Sequence, residues 1–393
     1  MERTLRGRAA IAGIGETTYY RHGESPDPEF ALVVKAILAA CSDAGLDPHQ
    51  IDGFATYSND RNTPARLAAA LDLPELHFSN MFHGGGGGGA AGAVANAAMA
   101  VATGMADHVV AYRGLAQGQF GRFGRAGGGG PVSGDFAYTL PYGVMSAGQM
   151  YAMRTTRLMH EHDIDRSTMR AVALACYHHA QNNPRAVMYG RPLDEASYDD
   201  ARWIVEPFRL YDCCLENDGA AAIIVTSPER AADLAQPPVY VMGAAQGAGR
   251  RAGASVHNQP DYATSSFKES ARRLYAMAGV GPDDVDVVQS YENFTGGVVM
   301  SLIEHGLCTY EEANEVLTFE NLIAPDGAIP LNTSGGNLAE CYMHGLGLHH
   351  EGIRQVRGQS TNQVPEVDVS LVNAGPMVEN ASTIIYGSEA AVR

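Results

Sequence analysis

The sequence predicts a layered α/β fold built from a duplicated unit, and three features of the chain carry that expectation. Short apolar runs that read as strands alternate with longer runs of helical period, the pattern of strands and helices packed in layers. The stretch AGLDPHQIDGFATYSN (residues 44–59) returns as AGVGPDDVDVVQSYEN (residues 278–293), with Ala, Gly, Pro, Asp and Tyr in step. A glycine-rich turn then opens a helix in each half, HGGGGGGAAGAVANAA in the first and NTSGGNLAECYMHGLG in the second. Self-similarity of this kind marks architecture before any motif marks chemistry. The seam falls near Gln236-Pro237-Pro238, dividing the chain into 1–235 and 236–393.

The elements follow in order. RAAIAGIGE reads as a strand entering a turn, and PEFALVVKAILAACSDAGL as an amphipathic helix ended by Gly45. IDGFATYS is a strand, GAAGAVANAAMAVATG a buried helix of small residues, and DHVVAYRG the next strand. Residues 117–141, rich in glycine and arginine, read as an inserted loop; a helical stretch follows from Met145 to about Tyr189, the whole insertion spanning about 117–200. GAAAIIVTS is a strand that closes the first half near Ser227.

Composition bounds the function. At 393 residues the chain has room for two average domains, and 45% hydrophobic with 18% charged residues is ordinary for a folded protein. A net charge of −17 excludes a bulk nucleic-acid binder, which needs a basic face against phosphates. Six cysteines without paired spacing fit a reducing cytoplasm, and no Cys/His spacing completes a metal site. The basic start lacks the long apolar run of a signal peptide, and nothing approaches the roughly 20 apolar residues of a membrane span. A cytoplasmic protein that meets neither nucleic acid nor membrane is expected.

The glycine run at 84–89 has two readings: a cradle of backbone N–H groups for phosphate at a helix start, or simple close packing of backbones. It lacks the GK[ST] of a P-loop, and Gly13-Ile14-Gly15 is only half a dinucleotide fingerprint. The order GIGET, small-residue turn and helix, NDGAAAIIV, NTSGG and VNAG resembles the thiolase superfamily over essentially the whole chain, its nearest branch being the lipid-transfer-protein (sterol carrier protein) thiolases. That resemblance implies a duplicated βαβαβαββ unit in five layers, αβαβα. In that family a nucleophilic cysteine opens the buried helix of the first half. Here the position falls near Gly87, and no cysteine lies between Cys41 and Cys176. Without a thiolate to carry an acyl group, covalent thiolase chemistry at that position is excluded.

Two further motifs depart from the family. QSYENFTGG puts Tyr291 where this branch has the histidine of a His-Asp-Cys-Phe motif, and AECYMHGLG puts Tyr342 at the histidine of Gly-His-Pro-x-Gly. In this the chain resembles the thiolase-like aldolases that cleave steroid side chains. The implied activity is a retro-aldol cleavage of a β-hydroxyacyl-CoA to a ketone and a shorter acyl-CoA such as propionyl-CoA. Such a step needs a base for the β-hydroxyl, donors for the thioester enolate and an acid for the α-carbon, but no nucleophile. A phenol of ordinary pKa about 10 suits an alcohol, provided that as a base its pKa is lowered. Tyr291 and Tyr342 are therefore the expected proton-handling pair, with His344 orienting or shuttling; the opposing reading is two half-buried core tyrosines with satisfied hydroxyls. Asn293, Gly335, Gly336, Asn373 and Gly375 form the expected acyl-CoA loops, Asn332 lying with them, and Arg122 and Arg125 are candidates for the CoA phosphates. CoA enters only as part of the substrate, with no tightly bound cofactor. The resemblance also implies a homodimer and an OB-fold/zinc-ribbon partner from an acyl-CoA hydratase. Two alternatives remain open: a non-catalytic acyl-CoA-binding subunit, and an acyltransferase using Cys341.

Overall fold

The alternation of strands and helices appears, in the computed structural model, as a 10-stranded mixed sheet flanked and split by helices. The structure describes residues 4–83, 86–120, 132–250, 261–378 and 380–393. In the first half, β1 (Ala10–Glu16), β2 (Gly53–Tyr57), β3 (Phe78–Phe82), β4 (His108–Ala116) and β5 (Asn217–Thr226) lie in the order β1-β5-β4-β2-β3. In the second, β6 (Val239–Gly247), β7 (Val287–Ser290), β8 (Val369–Ala374) and β9 (Ala381–Gly387) lie in the order β6-β9-β8-β7. The same path is thus drawn twice, with β2 parallel to β4 and β7 parallel to β8. The two paths meet where β1 runs antiparallel to β6, Ile11 opposite Val239.

Helices complete five layers. α1 (Glu29–Ala44) covers the outer face of β1, β5 and β4; α2 (Ala90–Ala102) lies inside, touching β2 and β4 on one side and β9 and β6 on the other. Its sequence, AAGAVANAAMAVA, is almost all small residues, which lets the two halves of the sheet close on one helix. α3 (Ala147–His162) and α4 (Arg166–Ala180) belong to the insertion, and α5 (Lys268–Ala278) covers the outer face of β6 and β9. α6 (Thr295–Glu304) packs against α3 and α4, and α7 (Leu346–Arg357) is the second inner helix, lying on β8 and β7. No helix of the described residues is long and apolar enough to cross a membrane.

Where structure and sequence reading differ, the causes are local. The helical stretch expected from Met145 to Tyr189 is two helices, broken at Asp163 in a left-handed conformation (φ 50). Strand β3 was not anticipated: it is an edge strand whose Ser79, Asn80 and Met81 are exposed, so no apolar alternation marks it. Gly13 and Gly15 serve packing alone, since a Cβ on Gly15 would fall inside contact distance of the Ala40 backbone in α1. Gly243 does the same job in the second half, where a Cβ would come within 2.9 Å of the Ala278 nitrogen in α5. Gly15→Ala should therefore push α1 off the sheet and cost about 1–3 kcal/mol or more, read as a lower midpoint in urea unfolding.

Candidate active site

The two inner helices start at the same place. α2 is entered through the tight turn Gly86–Gly89, and α7 through Gly345, which caps it in a left-handed conformation (φ 92). Tyr291 follows β7 directly and its ring lies across both starts. A Cβ built on Gly87 would sit within the Tyr291 phenol, and one on Gly345 would approach its ring to 2.7 Å. The position that the resemblance assigns to a cysteine is thus occupied, in space, by a tyrosine from the other half of the chain. Gly375 of the VNAG loop closes on Gly88 so tightly that a Cβ on Gly375 would fall inside the Gly88 backbone, while one on Gly88 would approach Val378 to 2.7 Å. Ser382 of β9 ties the turn down, accepting from the Gly92 N–H at 2.9 Å and donating to the Gly88 carbonyl.

Tyr291 and Tyr342 share a hydrogen bond, oxygen to oxygen at 2.8 Å, in a buried setting where the two residues are 1% and 6% exposed. Their main chains are held from behind. The Tyr291 N–H donates to Asn373 Oδ1 at 3.2 Å, and the Ser290 N–H to Asn332 Oδ1 at 2.7 Å. Asn217, at the start of β5, accepts from the Tyr342 N–H at 2.6 Å. His344 is buried, stacks on Tyr57 with ring centres 5.7 Å apart, and meets the Tyr342 ring edge-on. Tyr57, which stands in the first half where Tyr291 stands in the second, is a strut: its hydroxyl donates to the Met343 and His344 carbonyls at 3.2 and 2.9 Å.

Burial sets the charge state of this centre. It pushes both phenols well above their ordinary value, so both are protonated at neutral pH, and a lowered tyrosine pKa is not found. Burial and the nearby Arg113 cation hold His344 well below the ordinary imidazole value, so it is neutral. The neighbouring Glu292 is pushed up to about 8 by burial, against the opposing pull of donors from the Asn337 backbone and side chain at 2.7 and 2.9 Å. Glu292 fills the space that a Cβ on Gly336 would need, and Gly335 leaves room for Ala180 and the Cys176 carbonyl. Asn293 spends its Oδ1 on the next N–H in its own turn. The structure thus gathers Tyr291, Tyr342, His344, Asn373 and Gly375 at one point. It turns Gly335, Gly336 and Asn293 toward packing and turn geometry, while Arg122 and Arg125 lie outside the described residues. Cys341 is 1% exposed and burial pushes its thiol well up, an inert rather than a nucleophilic setting.

Tyr342 opens onto a cavity of ≈ 1220 Å³ walled by Tyr177 of α4, by Val205, Tyr211 and Cys214 of the loop before β5, and by Phe294 at the start of α6. Sequence reasoning missed these walls, and it missed Asn217 and Glu292. Asn217 stood in plain view in NDGAAAIIV, and Glu292 directly after Tyr291.

Residues 247–388 match the thiolase C-terminal domain-like family. The chain is 39% identical over 393 residues to a steroid side-chain-cleaving aldolase of Thermomonospora curvata, covering 97% of this chain and 98% of that one. It is also 39% identical over 388 residues to the 17-hydroxy-3-oxo-4-pregnene-20-carboxyl-CoA lyase of Mycobacterium tuberculosis, covering 97% of this chain and 100% of the relative. Among solved structures, an Ltp2–ChsH2(DUF35) aldolase superposes with a TM-score of 0.91 at 38% identity, over 98% of this chain and 99% of that one.

Two outcomes follow from the geometry. Gly87→Cys alone should destabilise the protein by driving a side chain into the Tyr291 ring, and Gly87→Cys with Tyr291→Ala should recover part of the loss, a coupling measurable as a double-mutant cycle in unfolding free energy. Glu292, raised from 4.5 to about 8 in the folded chain, favours folding most below 4.5, and that contribution is lost as pH rises through 8. Thermal midpoints should therefore fall between about pH 5 and about pH 9, and fall less in Glu292→Gln.

Proposed function

The chain belongs to the thiolase superfamily, among its steroid side-chain-cleaving aldolases, and from that premise we propose the reaction and its chemistry. The protein is a carbon–carbon lyase of thiolase-like fold that cleaves a β-hydroxyacyl-CoA, its acyl group a steroid side chain, into a ketone and a shorter acyl-CoA such as propionyl-CoA. Tyr291 and Tyr342 move the protons, and no covalent acyl intermediate forms. The observation that carries the mechanism is the 2.8 Å hydrogen bond between the two phenols at the point where Gly87 leaves no side chain.

A pair of protonated phenols suits a neutral relay better than a resting phenolate. The β-hydroxyl proton passes to the oxygen of one tyrosine as that tyrosine passes its own proton to the other. The bond between the α- and β-carbons breaks, the β-carbon becomes a ketone, and the electron pair goes to the thioester as an enolate. As it receives the first tyrosine's proton, the second tyrosine gives its own to the α-carbon, so no oxygen carries two protons, both phenols end as they began and the step is redox-neutral. Either tyrosine can stand on the hydroxyl side. The N-terminal ends of α2 and α7 lie beside this centre with the positive ends of their helix dipoles, which favours the enolate. His344, neutral and wedged between Tyr57 and Tyr342, orients the second phenol.

The active assembly is read as a homodimer with an OB-fold/zinc-ribbon protein bound to each chain, working in the cytoplasm on CoA-linked substrate without a resident cofactor. The exposed edge strand β3, with Met81 45% accessible, supports pairing with a second copy. The likeness to an Ltp2–ChsH2(DUF35) aldolase supports the second polypeptide.

With its partner, the protein should convert 17-hydroxy-3-oxo-4-pregnene-20-carboxyl-CoA to the 17-ketone and propionyl-CoA, followed by mass spectrometry. Tyr291→Phe and Tyr342→Phe should each lower kcat by roughly 10²–10⁴-fold with the thermal midpoint little changed. Full activity in both variants would defeat the relay, and no shorter acyl-CoA from the intact assembly would favour a non-catalytic binding subunit.

A further inference from the structure

Gln117 is the residue that follows β4, and it lines the cavity onto which Tyr342 opens. It is 3% exposed, yet neither its amide nitrogen nor its amide oxygen has a hydrogen-bond partner among the described residues. Each such buried orphan typically costs about 1–3 kcal/mol, so a side chain that keeps two of them is held there against folding stability. Its position relates it to the tyrosine pair. Ala116 pairs with Asp218 across the β4–β5 ladder, so Gln117 comes one step further, beside Asn217, which holds the Tyr342 N–H at 2.6 Å. His22 lines the same stretch of wall, and its Nε2 is likewise buried without a partner. The cavity is lined by apolar residues such as Val205 and Phe294 together with polar ones such as Gln149 and Glu216, yet none of the described residues bonds the Gln117 amide.

The geometry points to Gln117 as the specificity-determining residue that recognises the β-hydroxyl of the acyl group. A carboxamide with both a free donor and a free acceptor is complementary to a neutral group that offers one of each. A hydroxyl does so: its oxygen takes an N–H from Nε2, and its proton rests on Oε1 until it turns to the tyrosine oxygen that removes it. The same N–H remains on that oxygen as it becomes the product ketone. An acyl-CoA without the hydroxyl leaves both amide atoms buried and unpaired, and sites built this way reject the lacking analogue strongly. A pantetheine amide of CoA offers the same pair of groups. The hydroxyl is the better match because Gln117 stands next to the residue that positions Tyr342, where the hydroxyl must lie for proton transfer.

This inference rests on the reading of the protein as a β-hydroxyacyl-CoA lyase. The test measures binding, by calorimetry, of three probes to the partnered protein in a Tyr342→Phe background that prevents turnover: 17-hydroxy-3-oxo-4-pregnene-20-carboxyl-CoA, its analogue without the 17-hydroxyl, and CoA alone. With Gln117 present the hydroxylated probe should bind roughly 10- to 100-fold tighter than the analogue. Gln117→Leu should shrink that ratio to within about threefold, leave CoA binding unchanged, and leave the thermal midpoint level or higher, since two buried orphans are removed. A preference that survives Gln117→Leu overturns the assignment. Equal weakening of all three probes overturns it in favour of the pantetheine amide, and a lower midpoint in favour of a structural role. Failure of the protein with Tyr342 intact to cleave the hydroxylated probe defeats the lyase reading instead, so the two failures are told apart.

Discussion

Tyr291 can stand where it does because position 87 has no side chain. The ring crosses from one half of the duplicated fold into the helix start of the other, and any Cβ at 87 or 345 would meet it. This exclusion links the loss of a thiol to the gain of a phenol: neither substitution is sterically independent of the other. It also accounts for the surrounding glycines without appeal to flexibility. Gly87 yields to Tyr291, Gly336 to Glu292, Gly375 to Gly88 and Gly88 to Val378. A site assembled by close approach of backbones is rigid, which is what a relay between two oxygens 2.8 Å apart requires.

Burial then decides what the assembled groups can do. In a dry centre the charged form of every group is disfavoured, so two phenols and an imidazole are all neutral at pH 7 and a carboxyl beside them titrates near 8. A phenolate base is expensive in such a place, whereas proton transfer through a neutral pair leaves no net charge behind. A strongly ionised cluster forms around Glu16. Glu16 of β1 is held well below its ordinary value by Arg354 of α7 at 2.6 Å and His350 at 3.2 Å, against the cost of burial. That pairing ties α7 to the outer sheet and steadies the loop that carries Tyr342 and His344.

The resemblance to the thiolase superfamily covers the layered core, but the space in front of the tyrosines is made by the insertion. α3, α4 and the loop into β5 wall a cavity large enough for a bulky acyl group, with apolar and polar residues both in its lining and Gln117 and His22 among the polar ones. On the proposed reading the core supplies the proton chemistry, and the segments that wall the cavity decide what is presented to it.

Much of this was legible in the chain itself. Local signals sufficed for α1 with its Gly45 end, for the fully buried strands β4 and β5, and for a duplicated order of elements, because helix period, apolar runs and turn residues act over a few neighbours. Register against the family placed Tyr291 and Tyr342 in the site and left Gly87 bare. Other features were invisible because they depend on residues far apart in sequence. Edge strand β3 lacks alternation because its exposed face meets no core. The upward shift of the tyrosine pKa values depends on how deeply the folded chain buries them, and the sequence reading had the base moving the other way. Gln117 is an ordinary polar residue in the sequence; only the folded chain shows it buried in the wall of the cavity onto which Tyr342 opens, with both amide atoms unmatched among the described residues. The sequence by itself determined which groups exist and in what order the elements come. The tertiary structure decided which of them touch and how dry they are, because contact and desolvation arise between segments and not within them.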